Sequence, residues 1–307
     1  MKRVAALDLG TNSFLCLIVE GDSTGIKKII HDSAQVVRLG QDINKTKMFH
    51  PEALKRMDLC LEKFKSIIDK YQVDQVLAMA TSAARDAKNK NDFFEVCKKH
   101  KIPVNIISGA DEARITYQGA TANIGEGQQT TEKILIVDIG GGSTELILGQ
   151  GDQILFSQSL NIGCVRLTEQ MISQQPVSNV EHVKILNKIE NELDSALQEI
   201  KKMKLDKIIA VAGTPTALVA AQIGQFDPNQ VEGHVFSVKD LNDWVMKLKT
   251  SSTSEKISKF KIESGRADII YIGALILWTI VQKLDLPSLK VSIKGVRYGV
   301  AVEMLRN

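Results

Sequence analysis

Two short stretches of the sequence carry the same polar residues in the same order, each directly after an apolar run. The matching pairs are Asp8 and Asp138, Gly10 and Gly140, and Ser13 and Ser143, all at an offset of 130 residues. Glycine lets the backbone turn tightly and approach a ligand closely. Successive amide groups in such a turn form a concavity that binds anions. The repeat therefore predicts two phosphate-binding turns in a duplicated chain.

An aspartate beside a phosphate repels it unless a cation lies between the two. We therefore expect Asp8 and Asp138 to hold a divalent metal ion, with Glu145 as a further carboxylate. The phosphate contacts are expected from the turns themselves: Gly10, Thr11, Asn12 and Ser13 in the first, and Gly140, Gly141, Gly142, Ser143 and Thr144 in the second. Two ordinary glycine-rich hairpins are the alternative, which the match at three positions makes weaker.

A third segment offers a group that could activate water. Ser108 and Asp111 have the spacing of a helix N-cap and its partner, which leaves Glu112 without a capping role. Glu112 shares one face of this helix with small and apolar residues, a face expected to meet a cleft: Ile115, Thr116 and Gly119. Glu112 would then deprotonate a water that attacks a terminal phosphoryl group. From spacing alone, a first-turn glutamate that favours the helix dipole is the more common interpretation.

Further candidates for phosphate recognition lie at strand ends or beside glycine. Arg85 follows a predicted strand and two hydroxyl residues, with a surface salt bridge as the equal alternative. Gly213 and Thr214 form a third turn where a helix begins, with a simple helix cap as the equal alternative. Three more arginines near glycines could line an anionic channel: Arg166, Arg266 and Arg297.

These residues need a scaffold, and the periodicity predicts alternating strands and helices, as in an α/β fold. Strands are predicted at residues 4–9 and 134–138, each followed by a turn and a second strand. A further strand is predicted at 35–39, and a long helix over 52–71. Residues 125–132 have no periodic apolar position and form the predicted linker between two similar halves, with one active cleft between them.

The overall composition argues against several classes of protein. Apolar residues make up 44% and charged residues 24% of the chain, as in ordinary globular proteins. The net charge of +3 gives no reason to expect nucleic acid as a partner. No apolar run reaches the roughly 20 residues of a membrane span, and four scattered cysteines without a CxxC pair favour a reducing compartment. We therefore expect a cytoplasmic protein without membrane contact.

Together the motifs resemble those of the exopolyphosphatase and guanosine pentaphosphate phosphohydrolase (Ppx/GppA) family, in the family's order and along nearly the whole chain. The segments that carry the resemblance are Asp8-Leu-Gly-Thr-Asn-Ser13, Ala80-Thr-Ser-Ala-Ala-Arg85-Asp86, Ile107-Ser-Gly-Ala-Asp-Glu-Ala-Arg114, Val137-Asp-Ile-Gly-Gly-Gly-Ser-Thr-Glu145 and Gly295-Val-Arg297-Tyr-Gly299. Two positions depart from the pattern. Asp111 stands where the family often has a second glutamate, and Phe14-Leu15 replaces a polar or basic pair.

The resemblance implies two ribonuclease-H-like domains of the actin-like ATPase superfamily, with a cleft between them. The domains would comprise residues 1–124 plus 295–307, and 125–294. The family's catalytic glutamate falls on Glu112, and its metal and phosphate roles fall on Asp138, Glu145 and residues 140–144. The implied cofactor is Mg²⁺ or Mn²⁺, and the implied assembly is a homodimer. Long members carry a further helical C-terminal region, so the chain resembles the short form.

The expected activity is hydrolysis of a phosphorus-containing acid anhydride. The leading interpretation is an exopolyphosphatase that releases terminal orthophosphate from inorganic polyphosphate. Guanosine pentaphosphate (pppGpp) presents the same terminal phosphoryl group and is the alternative substrate. Transfer of phosphate to a nucleotide is a third interpretation, and a non-catalytic sensor of polyphosphate or an alarmone is a fourth. Glu112 argues against the sensor, because a pure binder of polyanions gains nothing from a carboxylate in its cleft.

Overall fold

The computed structural model describes residues 1–122 and 132–307, which form two α/β units. Unit 1 comprises Met1–Gln129 and Lys294–Asn307, and unit 2 comprises Thr130–Ile293. Of the predicted linker, residues 125–131 lie outside the described part of the chain. Within the described ranges, no helix combines the length and the apolar character that crossing a membrane requires.

Unit 1 is built on a five-stranded sheet of order β3-β2-β1-β4-β5. Its strands are β1 (Lys2–Leu9), β2 (Ser13–Asp22), β3 (Gly25–Val36), β4 (Gln75–Ala80) and β5 (Val104–Ile106). β1, β2 and β3 form an antiparallel meander, whereas β4 and β5 continue the sheet in parallel with β1. Its helices are α1 (Ile43–Thr46), α2 (Pro51–Lys70), α3 (Ser82–Asp86), α4 (Lys90–Lys99), α5 (Gly109–Thr121) and, from the end of the chain, α13 (Val296–Arg306).

Unit 2 is built on a six-stranded sheet of order β10-β11-β9-β6-β7-β8. Its strands are β6 (Lys133–Ile139), β7 (Thr144–Gln150), β8 (Gln153–Leu160), β9 (Lys207–Val211), β10 (Val235–Ser237) and β11 (Ser288–Val291). Its helices are α6 (Cys164–Met171), α7 (Asn179–Lys202), α8 (Gly213–Ile223), α9 (Pro228–Val231), α10 (Val238–Lys249), α11 (Thr253–Phe260) and α12 (Ile270–Lys283).

The two sheets share one topology. In each unit the first three strands form an antiparallel meander, and the next two strands of the sheet run parallel to the first of the three; unit 2 adds the antiparallel edge strand β10. The predicted α/β class and the duplication are therefore confirmed. Repeated ribonuclease-H-like sheets of this kind define the fold of the actin-like ATPase superfamily.

Local capping residues explain where helices α2 and α5 begin. Pro51 occupies the first turn of α2, where its missing amide costs nothing, and His50 Nδ1 accepts a hydrogen bond from Glu52 N (3.2 Å). Ser108 caps α5 as predicted, since its Oγ accepts from Asp111 N (3.1 Å). The Asp111 carboxylate accepts from the Ser108 hydroxyl (2.6 Å), which differs from the predicted capping box with the backbone amide.

One strand prediction is wrong. Residues 35–39 were expected to form a strand, whereas β3 runs over Gly25–Val36 and only its last two residues overlap that range. β3 is an edge strand of its sheet, and its exposed positions mix lysines and other polar residues with Ile29 and Ala34. Register shifts against β2 further break the alternation of apolar and polar residues. An edge strand of this type leaves a weak periodic signal.

The small-residue face of α5 packs inside unit 1. A Cβ on Gly119 would overlap the carbonyl oxygen of Gly295, and a Cβ on Gly299 would overlap that of Ile115. Helices α5 and α13 therefore approach each other closely, α13 packs on β1, and Ile115 of α5 joins the same apolar cluster. The prediction that this face lines a cleft is corrected, because the second half of the face, at Ile115 and Gly119, is covered by α13.

Candidate active site

The second turn (residues 140–144) follows the carboxyl end of β6. Gly140 N donates to Ser143 O (3.0 Å), and the chain then enters β7. Within the described part of the protein, no carbonyl or side chain accepts a hydrogen bond from the amides of Gly141, Gly142 and Ser143. These three successive donors have the chemistry of an anion-binding concavity.

The carbonyl oxygens of the second turn are bound by the start of α6. Cys164 N donates to Gly140 O (3.0 Å), and the amides of Val165 and Arg166 both donate to Gly141 O (2.9 and 3.0 Å). Arg166 Nε donates to Gly142 O (2.6 Å). With its carbonyls fixed in this way, the turn has a defined shape before any ligand arrives.

Two side chains beside the second turn, Thr144 and Cys164, are poorly suited to bind or attack phosphate. The Thr144 hydroxyl is buried and donates to Ile162 O (2.7 Å). Burial raises the pKa of Cys164 to about 11, so this thiol stays protonated at neutral pH and is a poor nucleophile. The backbone amides, rather than these side chains, are the donors that the turn offers.

A row of polar residues crosses the sheet of unit 2 next to the second turn. Asp138 on β6 lies directly opposite Glu145 on β7, and Glu145 lies opposite Ser159 on β8. Ser159 Oγ donates to Glu145 Oε1 (2.7 Å). Asp138 is 7% exposed and Glu145 1% exposed. Ser159 was not expected from the sequence, because β8 is an edge strand without a clear periodic signal.

The donor chemistry of this row fits a hard divalent cation. Carboxylates placed opposite each other on neighbouring strands repel, and a cation between them reduces that repulsion. Mg²⁺ binds one or two protein carboxylates and completes its shell with water and substrate phosphate oxygens. Across residues 1–122 and 132–307, no group of three or more His, Cys, Asp or Glu is arranged to hold a metal ion. Asp138 and Glu145 therefore match the sparse protein ligation typical of Mg²⁺ better than a Zn²⁺ or Ca²⁺ cage.

The first turn (residues 10–13) has the same backbone geometry and a different row. Gly10 N donates to Ser13 O (3.1 Å), as in the second turn. Asp8, however, lies opposite Leu15, and Leu15 lies opposite Ala34. The row at the first turn thus has a single carboxylate where the row at the second turn has two.

Glu112 is buried in the first turn of α5 and forms an ion pair. The residue is 6% exposed, and Arg85 Nη1 donates to Glu112 Oε2 (2.6 Å) and to Ile107 O (3.0 Å). Burial raises the pKa of the Glu112 carboxyl above its ordinary value, and the charge and hydrogen bond of Arg85 oppose that rise. A carboxylate whose pKa is moved toward neutrality is better suited to accept a proton from water. Arg85, expected to bind phosphate, is thereby placed beside Glu112.

The third predicted turn brings Gly213 and Arg266 together. The Arg266 guanidinium lies against the Gly213 backbone, where any Cβ would overlap it, and Arg266 Nε donates to Glu263 (3.2 Å). Ala212, directly before this turn, has φ +72, an uncommon conformation for a residue with a side chain. Thr214 is buried against Gly273 of α12, so its side chain packs between two helices.

Arg297 lies in unit 1 and is held by a carboxylate. Its Nε and Nη2 donate to the two oxygens of Asp32 (2.8 and 2.9 Å), and Tyr298 Oη donates to the same carboxylate (3.0 Å). The bidentate pair joins α13 to β3. Arg85 and Arg297 thus lie with the first turn in unit 1, whereas Arg166 and Arg266 lie with the second turn in unit 2.

The fold, the glycine turns and the paired carboxylates together define a class of protein, the phosphate-binding proteins with two similar α/β units. The sequence model of the Ppx/GppA phosphatase family matches residues 17–307, and the chain belongs to this family. The resemblance inferred from the motifs is therefore confirmed.

Three relatives illustrate the match. A bifunctional 3-dehydroquinate synthase/phosphatase of Fusobacterium nucleatum is 33% identical over 99% of this chain, which spans only 46% of the length of that protein. Exopolyphosphatase 2 of Mycobacterium tuberculosis is 30% identical, with 99% of both chains covered. The crystal structure of an exopolyphosphatase from Cytophaga hutchinsonii superposes with a TM-score of 0.89 at 26% identity, over 99% of this chain and 97% of that one.

Proposed function

We propose that the protein is a Mg²⁺-dependent exopolyphosphatase, which releases terminal orthophosphate from inorganic polyphosphate. The observation that supports this most directly is the buried pair Asp138 and Glu145 beside the amides of the second turn. Carboxylates for a cation and backbone donors for an anion at one strand end suit a phosphate-metal complex. The similarity to exopolyphosphatase 2 of Mycobacterium tuberculosis supports the same substrate.

In the proposed reaction, Glu112 acts as the general base. A water oxygen forms a bond to the terminal phosphorus, and Glu112 accepts the proton that this water loses. The bond from the terminal phosphorus to the bridging oxygen breaks, and the shortened polyphosphate leaves with the electron pair. Arg85 holds the Glu112 carboxylate through its ion pair and so fixes the direction in which it can accept a proton.

The phosphate oxygens are assigned to the turn amides and to arginine. The amides of Gly141, Gly142 and Ser143, the residues of the first turn, and the guanidinium groups of Arg166 and Arg266 are the proposed donors. Asp138 and Glu145 would hold Mg²⁺, with Asp8 as a weaker candidate because Leu15 faces it. When bound, the cation would neutralise charge on the phosphoryl oxygens.

The alternative substrate is guanosine pentaphosphate. Its terminal phosphoryl group is chemically equivalent, so the same residues would act on it. One assay compares the candidates: purified protein with Mg²⁺ is given long-chain polyphosphate, tripolyphosphate and guanosine pentaphosphate in parallel, and orthophosphate release is measured with and without EDTA. Fastest release from long-chain polyphosphate, lost with EDTA and restored by Mg²⁺, supports the proposal. Fastest release from guanosine pentaphosphate would replace the proposed substrate, and binding without release would favour the sensor.

The Glu112→Gln variant tests the proposed base. It keeps the shape of the side chain and removes the proton acceptor, so we expect kcat to fall by about 10²- to 10⁴-fold while KM changes little. The matched control is Asp111→Asn, which changes the exposed neighbouring acid in the same helical turn and should keep kcat within a few-fold. Full activity in Glu112→Gln would show that another group accepts the proton.

The proposed cellular setting is the cytoplasm. The four cysteines are unpaired and buried in the structure, a pattern typical of a reducing compartment such as the cytoplasm. We also propose a homodimer, which light scattering after size-exclusion chromatography would test. A mass of 33.8 kDa for the particle in solution would contradict it.

A further inference from the structure

The same three residues follow the third strand in both units. Val37-Arg38-Leu39 comes after β3, and Val165-Arg166-Leu167 comes at the start of α6, after β8. In unit 2 the amides of Val165 and Arg166 both donate to one carbonyl of the second turn. In unit 1 the amides of Val37 and Arg38 both donate to Asn12 O of the first turn (2.9 and 2.7 Å). Asn12 and Gly141 are one position apart in the repeat, so the two arginines occupy similar but not identical positions, each fixed to its phosphate-binding turn through its own backbone.

Arg38 has a backbone conformation that side chains rarely adopt. Its φ is +54, in the left-handed region, and long side chains are disfavoured there. Such strain persists only where neighbouring contacts enforce it, and it is often found at ligand sites. Gly40 N donates to Thr11 O (2.8 Å), so contacts on both sides of Arg38 tie this segment to the first turn.

Arg56 on α2 clamps the same segment from the other side. Its Nε donates to Val37 O (2.7 Å), and its Nη2 donates to Arg38 O (3.2 Å) and Gln41 Oε1 (2.8 Å). Burial lowers the pKa of Arg56, and the nearby positive charge of Arg38 lowers it further. Two guanidinium groups that repel each other are thus kept together beside a turn rich in backbone amides.

We propose that Arg38 is a substrate-binding residue, which contacts a phosphate group of the polyanionic substrate at the first turn, and that Arg56 is its positioning residue. The inference rests on the proposed function and adds a residue that the motifs alone did not indicate. Arg38 serves in unit 1 as Arg166 serves in unit 2, so each turn combines backbone amides with one guanidinium. The ligand class is a chain of phosphate groups, for which a planar guanidinium offers paired donors.

Arg38→Gly separates the binding role from a structural one. Glycine adopts φ +54 without strain, which offsets the loss of the other interactions of Arg38, and thermal unfolding checks that the variant folds. If Arg38 binds substrate, KM for polyphosphate should rise by about ten- to a hundredfold, the usual loss for one hydrogen bond to a charged group. The affinity of the Glu112→Gln variant for sodium tripolyphosphate, measured by calorimetric titration, should fall by the same factor when Arg38→Gly is added to it.

The matched control is Lys47→Gly. Lys47 is another cationic residue of unit 1 with a left-handed backbone, φ +57, at the end of α1. Lys47→Gly removes one positive charge and introduces glycine at a left-handed position, as Arg38→Gly does. Because Lys47 is not proposed to contact substrate, KM should stay within twofold of the parent value. Arg38→Lys keeps the charge without the paired donors and should fall between the parent protein and Arg38→Gly.

The possible results distinguish an error about Arg38 from an error about the proposed function. A parent protein that hydrolyses polyphosphate, with an unchanged KM and unchanged tripolyphosphate affinity in Arg38→Gly, would overturn the inference and leave the proposed function intact. A parent protein that hydrolyses no phosphoanhydride would overturn the proposed function, and the tripolyphosphate titration would still test Arg38. Equal rises in KM for Lys47→Gly and Arg38→Gly would mean that general charge, and not the position of Arg38, governs binding.

Discussion

Glu112 is subject to two opposing influences, and the balance between them sets where it can accept a proton. Burial favours the neutral acid, whereas Arg85, at 2.6 Å, favours the carboxylate. A glutamate that is buried without a cation would be protonated at neutral pH and useless as a base. A glutamate in water would be a weak base. The pairing with Arg85 therefore gives this residue a pKa between these limits.

Arg85→Met should move the acidic limb of the pH-rate profile to higher pH. Removal of the guanidinium leaves burial unopposed, so the pKa of Glu112 rises further. The fraction of deprotonated base falls as pH drops below that pKa, and activity is then lost at a higher pH than in the parent protein. We expect the acidic limb of kcat/KM to move to higher pH, because an arginine next to a carboxylate lowers its pKa and that influence is removed.

Arg85→Lys is the matched comparison for this profile. It keeps the positive charge, so its acidic limb should stay close to that of the parent protein even if the rate falls. A uniform loss of kcat/KM in Arg85→Met, with no displacement of the acidic limb, would contradict the positioning role and favour direct phosphate binding by Arg85. Thermal unfolding of each variant checks that the lost bond to Ile107 O has not disrupted the fold.

At the scale of elements, the sequence predicts the turns better than the strands around them. The turns are local, and glycine, aspartate and serine at fixed spacing identify them without any knowledge of partners. The third strand of each unit lies at a sheet edge, carries polar residues on its exposed positions, and is interrupted by a register shift. Ser159 and Arg38 depend on those strands, so neither could be assigned before the sheet order was known.

The same distinction explains the wrong expectation for α5. Its periodicity identifies a face of small and apolar residues, and periodicity says nothing about which element covers that face. The cover is α13, more than 170 residues later in the chain, through close approach at Gly119, Gly295 and Gly299. Contacts of such long range follow from topology, and only a family resemblance pointed to them beforehand.

Gly119→Ala tests how closely α5 and α13 pack. Alanine is the better helix former, by about 1 kcal/mol, so an unobstructed site would gain stability. Here the new methyl group overlaps the carbonyl of Gly295 and the amide of Gly299, which are backbone atoms that cannot rotate away. We expect a net loss of about 1–3 kcal/mol in the free energy of unfolding, measured with urea.

The neighbouring variant Gln118→Ala provides the comparison for that measurement. Gln118 lies one position along the same helix and is partly exposed, so its replacement should change the free energy of unfolding by less than about 0.5 kcal/mol. A Gly119→Ala protein as stable as the parent would show that the two helices can separate by enough to admit a methyl group.

For the molecule as a whole, the duplication has left two units with similar sheets and unequal chemistry. The row next to the second turn reads Asp138, Glu145 and Ser159 across three strands. The corresponding row of unit 1 reads Asp8, Leu15 and Ala34. One unit retains two carboxylates at the end of its first strands, and the other retains one. A duplicated fold therefore need not carry a duplicated cation site.

We expect one Mn²⁺ ion to bind per chain, measured by equilibrium dialysis with Mn²⁺ as the probe for Mg²⁺. Asp138→Asn should weaken this binding by at least tenfold, because a neutral amide replaces one of two opposed carboxylates. Asp8→Asn should leave the stoichiometry unchanged and the affinity within about twofold, because the residue opposite Asp8 on β2 is Leu15 and not an acid. Two ions per chain, or equal losses in the two variants, would mean that Asp8 also binds the cation and that the units have kept equivalent sites despite the change at position 15.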